Sequence, residues 1–117
     1  MTITIRGISE LKGNLMLAIF DKSDGFGNED YACEKMVIKV DSKNQEIELS
    51  NLITGKKYAI ALYHDVNCNQ RLDKNILGMP LEKYGFSNDV RSTFGPPSFE
   101  SAAFIYSQEK KTSITIK

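Results

Sequence analysis

The sequence predicts an all-β fold: a seven-stranded antiparallel β-sandwich of immunoglobulin-like or transthyretin-like topology, carrying one long ordered loop. Seven short stretches either alternate polar and apolar residues or are apolar throughout, and turn-forming Gly, Asn and Asp residues separate most of them. No stretch has the period of a strong amphipathic helix. Because 117 residues is a common size for one domain, residues 1–117 are predicted to form a single domain.

Two of the predicted strands differ from the others. Most alternate in the way expected of a sheet with one wet face, and one short helical turn is predicted within residues 30–35. The stretches 15–20 and 57–64 are apolar at odd and even positions alike, so both of their faces must be covered. The predicted strands are 2–8, 15–20, 36–41, 46–49, 57–64, 102–106 and 112–117.

The long loop covers residues 75–101. It has no helix or strand period, but it holds too many large apolar side chains for a disordered linker. We therefore expect it to fold across the outer face of the two apolar strands, which Met16, Ala18, Phe20, Ala59, Ala61 and Tyr63 would form. The apolar residues of the loop are Leu77, Met79, Leu81, Tyr84, Phe86, Phe94 and Phe99.

Composition excludes several classes of partner. Fifteen basic and fifteen acidic residues cancel, so no net field attracts nucleic acid or an anionic membrane surface. No apolar run approaches the roughly 18 residues of a membrane-spanning helix, and no membrane insertion is predicted. Cys33 and Cys68 are too far apart in sequence for a CxxC pair, and two unpaired thiols are the default expectation over a disulfide.

The stretch 65–73 has the ligand spacing of a calcium loop, in which alternate residues point oxygen donors at one centre. Counted from Asp65, the predicted ligands are Asp65, Asn67, Asn69, the carbonyl of Arg71, and Asp73. These hard oxygen donors suit Ca²⁺ better than zinc or copper. With two carboxylates in the loop, binding is expected to be weak, with a dissociation constant of about 10⁻⁴ to 10⁻³ M.

Two positions depart from the calcium pattern. Gln70 stands where a glycine normally makes the sharp turn, and Ile76 stands where a bidentate Glu normally closes the site. A further ligand would then come from water or from another acid, and the alternative is a loop whose Asp and Asn side chains bond their own backbone. The acids that could supply the ligand are Asp21, Asp24, Asp30, Glu34 and Glu82.

His64 is the only histidine in the sequence, and it precedes the first candidate ligand. Its parity within the predicted strand favours a strand-end histidine that donates a hydrogen bond to loop backbone over an acid–base role with Asp65. The sequence shows no nucleophile elbow, no phosphate-binding glycine loop and no second histidine for a metal triad. We therefore predict that the protein is not an enzyme.

The motifs around this loop resemble a bacterial domain of unknown function, family 2141, over nearly the whole chain. The most specific segments are His64-Asp65-Val66-Asn67-Cys68-Asn69, Leu72-Asp73-Lys74-Asn75 and Tyr84-Gly85-Phe86-Ser87-Asn88. Gln70 departs from the family pattern, in which Gly is expected. The resemblance implies a small secreted or periplasmic protein. The segment from Asn51 to Tyr58 is also similar to prealbumin-like repeats of surface proteins.

Three functions follow as expectations. The first is a noncatalytic exported β-sandwich module that binds an extracellular protein or carbohydrate through the 65–73 loop and the 75–101 loop, with Ca²⁺ ordering the former. The second is a small hydrolase-type enzyme on a transthyretin-like scaffold that uses His64, Asp65 and Tyr84. The third is a carbohydrate- or peptide-binding module, which predicts exposed aromatic rings among Tyr84, Phe86, Phe94 and Phe99.

Overall fold

A computed structural model describes residues 1–68, 82–92 and 95–117, and these contain eight β-strands and little helix. One α-helical turn, α1, spans Phe99–Ala102, and 3₁₀ turns span Glu29–Tyr31 and Ser87–Asp89. The strands are β1 Thr2–Arg6, β2 Asn14–Phe20, β3 Glu34–Lys39, β4 Gln45–Glu48, β5 Lys57–Asp65, β6 Tyr84–Phe86, β7 Phe104–Ile105 and β8 Lys111–Thr115. Among the described residues, no helix has the length and apolar character needed to cross a membrane.

The strands form two sheets. One has three strands in the order β4-β1-β8, and the other has five, in which β3-β2-β5-β6 follow one another and β7 adds to β5. The C-terminal end of the chain links the two, because Tyr84 and Lys117 exchange both backbone hydrogen bonds, at 3.1 and 3.0 Å. The all-β prediction is thus confirmed as two sheets.

The prediction of seven antiparallel strands was wrong in two respects. First, the described residues contain one strand more than predicted. This additional strand, β6, has only three residues with Gly85 at its centre, so it is too short to show a period in the sequence. A Cβ at Gly85 would lie 2.9 Å from the carbonyl oxygen of Thr115, so glycine allows β6 to approach β8 closely. In addition, β1 and β8 pair in parallel, with Ile3 beside Thr112 and Ile5 beside Ile114.

The main core lies between the two sheets. Alternation buries one face of β1, where Ile3 and Ile5 are fully buried while Thr2 and Thr4 are half-buried. Burying such aliphatic side chains stabilises the fold by about 1.5–3 kcal/mol each. The inward-facing residues that join both sheets in one cluster include Ile3, Ile5, Ile47 and Ile114 from the three-stranded sheet and Leu15, Leu17, Ile19, Ile60 and Leu62 from the five-stranded sheet.

A second apolar cluster lies on the outer face of the five-stranded sheet. Phe86 and Phe99 of the 75–101 loop pack there on Phe20 and Ala59, so the expected covering is confirmed for that part of the face. It is wrong for the rest of the face, because the residues there are only partly buried and line a groove: Met16, Ala18, Ala61 and Tyr63. Residues 75–81 and Phe94 lie outside the described residues. The predicted strand 102–106 begins later than expected, because Ala102 ends α1 and β7 contains only Phe104 and Ile105.

Phe26 completes this second cluster from the β2–β3 loop. Its ring lies edge-on to Phe20 and to Phe99, with centroid distances of 5.0 and 6.0 Å, and 5.9 Å from Phe86. Edge-to-face aromatic pairs of this kind add about 0.5–1.5 kcal/mol each beyond the burial of area. A loop rich in Asp and Gly therefore supplies a packing residue that its composition does not indicate.

Candidate functional site

The candidate ion loop begins at the last residue of β5. Asp65 is fully buried, and it is the register partner of Asn14 at the start of β2. The turn before β2 crosses closely over this strand end: a Cβ added to Gly13 would overlap the carbonyl oxygen of Asp65. Gly13 also has a φ of +71°, a conformation that glycine adopts readily. The first residue of the candidate ion loop is therefore buried and closely packed against the turn before β2.

The structure places two of the five predicted ligands. Asp65 is buried and Asn67 is exposed, whereas Asn69, Arg71 and Asp73 lie outside the described residues. Among the residues that the structure describes, no group of three His, Cys, Asp or Glu side chains is placed to hold a metal ion.

Glu82 lies at this loop. Its Oε2 accepts a hydrogen bond from the backbone N–H of Val66 over 2.8 Å, a charge-assisted contact at the first residue after β5. Glu82 is one of the five acids proposed as an additional ligand. Its carboxylate therefore contacts Val66, the residue between the predicted ligands Asp65 and Asn67.

The other four acids belong to the opposite end of the β2–β5 ladder. Glu34 lies beside Ile19, and the ladder runs from there about 17 Å to Asn14 and Asp65. Asp21 follows β2 directly and accepts a hydrogen bond from Lys56 Nζ at 3.0 Å, which raises the pKa of that lysine. Asp24 and Asp30 are exposed in the loop between β2 and β3. Of the five acids considered as a further ligand, Glu82 is therefore the one that lies beside the start of the candidate ion loop.

His64 has the structural role that its parity predicts. Its side chain is 2% exposed, and Nε2 lies 2.6 Å from the carbonyl oxygen of Lys12 in the turn before β2. Because a carbonyl oxygen only accepts, Nε2 must carry the proton and donate it. The expectation of a strand-end histidine donating to loop backbone is confirmed. His64 is also among the residues that line a cleft of about 380 Å³; the others are Ser9, Glu10, Val66, Asn67, Glu82 and Lys83.

Both cysteines are unpaired, as expected, and both are exposed. Cys33 precedes β3, and Cys68 lies near the other end of β2, where its Sγ is 3.7 Å from Nδ2 of Asn14. Although Cys33 is exposed as a residue, partial burial of its thiol raises the pKa, and the negative charge of Asp21 raises it further.

A groove of about 710 Å³ crosses the outer face of the five-stranded sheet. Its floor is the register pair Ala18 and Ala61, whose small side chains leave the space open. Phe86 lies beside Ala61 on β6, and Lys35 lies beside Ala18 on β3. The next row across the sheet, toward the ion loop, consists of Val37, Met16, Tyr63 and Tyr84.

The groove and the ion loop are neighbours. Tyr63, in the second row of the groove, precedes Asp65 by two residues on β5, a separation of about 7 Å along the strand. Tyr84 pairs with Tyr63 and follows Glu82 by two residues. β5, which ends at Asp65, and β6, which begins two residues after Glu82, therefore form one end of the groove.

The expected exposure of the loop aromatics is wrong for Phe86 and Phe99, and Phe94 lies outside the described residues. Phe86 and Phe99 are 9% and 6% exposed, because both pack on the outer face of the sheet. Tyr84 is half-buried, with the Arg91 guanidinium 4.2 Å from its ring centroid. The Phe86 ring is nearly perpendicular to that of Tyr84, with the two centroids 5.9 Å apart. Arg91 is held in place by donating hydrogen bonds to the carbonyl oxygens of Tyr84 and Lys117.

Two packed β-sheets, with a groove on one outer face and a polar loop at its end, define a small β-sandwich-type domain. The chain belongs to the family described as uncharacterized protein conserved in bacteria (DUF2141), whose sequence profile matches residues 3–115. The suspected resemblance is thereby confirmed. No match was found among curated proteins or among solved structures.

Proposed function

We propose that this bacterial protein is a noncatalytic, exported binding module whose ligand surface is the groove on the outer face of the five-stranded sheet. The observation that carries the proposal is the groove itself: about 710 Å³, with an alanine floor and walls that include Tyr84 and Phe86. Sites for small or extended ligands have volumes of this order and are mainly apolar. We assign its two-sheet fold to the immunoglobulin-like or transthyretin-like sandwiches.

The lining of the groove favours a peptide over a carbohydrate. Sugar rings stack on flat, accessible aromatic faces, whereas Phe86 is buried and Arg91 covers part of the Tyr84 ring. The shallow alanine floor between Val37, Met16 and these rings suits an apolar side chain of an extended peptide. Carbohydrate is the alternative ligand class, and the two are distinguished by the binding assay.

The test is a comparison of binding by wild type and by groove-filled variants. A peptide display library and a glycan array are probed with wild type, Ala18→Leu and Ala61→Leu. Leucine at either position places three further carbon atoms on the groove floor without changing the core between the sheets. We expect peptides with apolar anchors to bind wild type and to lose binding in both variants.

Thr4→Leu is the matched control. Thr4 is half-buried in the middle of β1 and points away from the core, so leucine adds bulk to the outer face of the other sheet. Peptide binding should survive this change, and a thermal melt of each variant confirms that it is folded. Binding that the groove-filled variants retain in full would contradict the proposal. Selective glycan binding would replace peptide with carbohydrate as the ligand.

Ca²⁺ forms the second part of the proposal. We propose that a weak Ca²⁺ site at residues 65–73, extended by Glu82, orders the loop beside the groove. The donor types and spacing support this, and so does the position of Glu82 at Val66. Export to a calcium-rich exterior, which the family resemblance implies, would suit a site with a dissociation constant of about 10⁻⁴ to 10⁻³ M.

We further propose that His64 supports the fold and takes no part in catalysis. Its Nε2–H is committed to the Lys12 carbonyl, and its backbone N–H donates to the carbonyl of Lys83 at 2.9 Å. A general base needs an acceptor nitrogen aimed at a substrate proton. The hydrolase alternative with His64 and Asp65 gains no support from this arrangement.

A further inference from the structure

We draw no further inference here: the strongest candidate, the polar rim of the outer-face groove where Lys35 and Glu29 border the apolar floor, belongs to the binding surface already proposed, and nothing in the structure shows which ligand charge it would meet.

Discussion

The carboxylate of Glu82 accepts a hydrogen bond from the backbone N–H of Val66 at 2.8 Å, which joins the residue after β5 to a residue just before β6. This contact fixes the two ends of the intervening stretch next to each other. It also puts a carboxylate beside Asp65 and Asn67, the first two predicted Ca²⁺ ligands. Structural and ion-binding roles of Glu82 can be separated, because an amide can accept the same hydrogen bond but is a weaker cation ligand.

Calcium is expected to stabilise the wild-type protein. A site with a dissociation constant of about 0.1 mM gains about 2.7 kcal/mol of unfolding free energy when the free ion is at 100 times that concentration. Glu82→Gln should lose most of this gain while keeping the hydrogen bond from Val66. Thermal melts in chelator and in calcium measure both effects.

The control for the calcium series is Asp24→Asn. Asp24 is exposed in the β2–β3 loop, so its loss changes the net charge equally without touching the candidate site. It should retain the full calcium-dependent shift. A wild-type melting temperature that calcium leaves unchanged would eliminate the ion part of the proposal, and equal shifts in wild type and Glu82→Gln would remove Glu82 from the ligand set.

Gly13→Ala is expected to destabilise the fold more than Gly55→Ala does. Both glycines have positive φ, +71° and +87°, so alanine introduces backbone strain of about 1 kcal/mol at either position. The space around them differs: a Cβ at Gly13 would overlap backbone atoms of Asp65 and Val66, whereas one at Gly55 meets nothing within 4 Å. Forcing that overlap should cost about 1–3 kcal/mol more.

Urea unfolding of the two glycine variants makes this comparison directly, since the difference between them removes the shared strain. Equal midpoints would show that the turn before β2 can move away from the end of β5. In that case Gly13 would not be what holds the start of the ion loop in place.

The strands that lie at the centre of the five-stranded sheet could be predicted from sequence. Residues 15–20 and 57–64 are apolar on both parities, and β2 and β5 do have one face in the core. On their other face the second cluster covers Phe20 and Ala59, and the groove lies over Ala18 and Ala61. Parity likewise predicted the inward position of His64, because a period of two fixes the face once the strand is known. The alternation of residues within a single strand is therefore enough to predict these features.

The remaining features depend on contacts between distant segments. The parallel pairing of β1 with β8 joins the two ends of the chain, and nothing in either strand distinguishes it from antiparallel pairing. Selecting Glu82 from five acids needed the register of β2 against β5. Phe26 was missed because its loop has a turn-like composition, and its only signal was a large aromatic ring among Asp and Gly residues.

Ser87→Ala is expected to cost about 1–3 kcal/mol, the usual range when buried polar groups lose their partner. Ser87 is 3% exposed and lies where β6 ends, and its Oγ accepts from the Ile60 N–H of β5 at 2.9 Å and donates to the carbonyl of Ala102. The hydroxyl thus continues the hydrogen bonding of β5 beyond β6. Alanine would leave both backbone groups without this partner.

Chemical denaturation of Ser87→Ala measures that cost, with Ser50→Ala as the control. Ser50 is exposed after β4, so its change should stay within about 0.5 kcal/mol of wild type. If both variants unfold at the wild-type midpoint, another group or water must satisfy Ile60 and Ala102, and Ser87 does not join β5 to α1.

Alkylation of Cys33 should be slow at pH 8 and should accelerate in Asp21→Asn. Partial burial of the thiol raises its pKa above the ordinary value, with Asp21 adding to the rise and Lys56 opposing it, so less of the reactive thiolate is present. Removing the Asp21 charge lowers the pKa of the thiol and also releases Lys56 from its 3.0 Å ion pair. Both changes favour the thiolate.

In a Cys68→Ser background, which leaves Cys33 as the one thiol, iodoacetamide labelling followed by mass spectrometry gives the rate of alkylation. Asp24→Asn removes an equal charge from the same exposed loop and should leave that rate nearly unchanged. If Asp21→Asn labelled no faster than this control, the Asp21 carboxylate would not act on Cys33, and burial alone would account for the slow reaction.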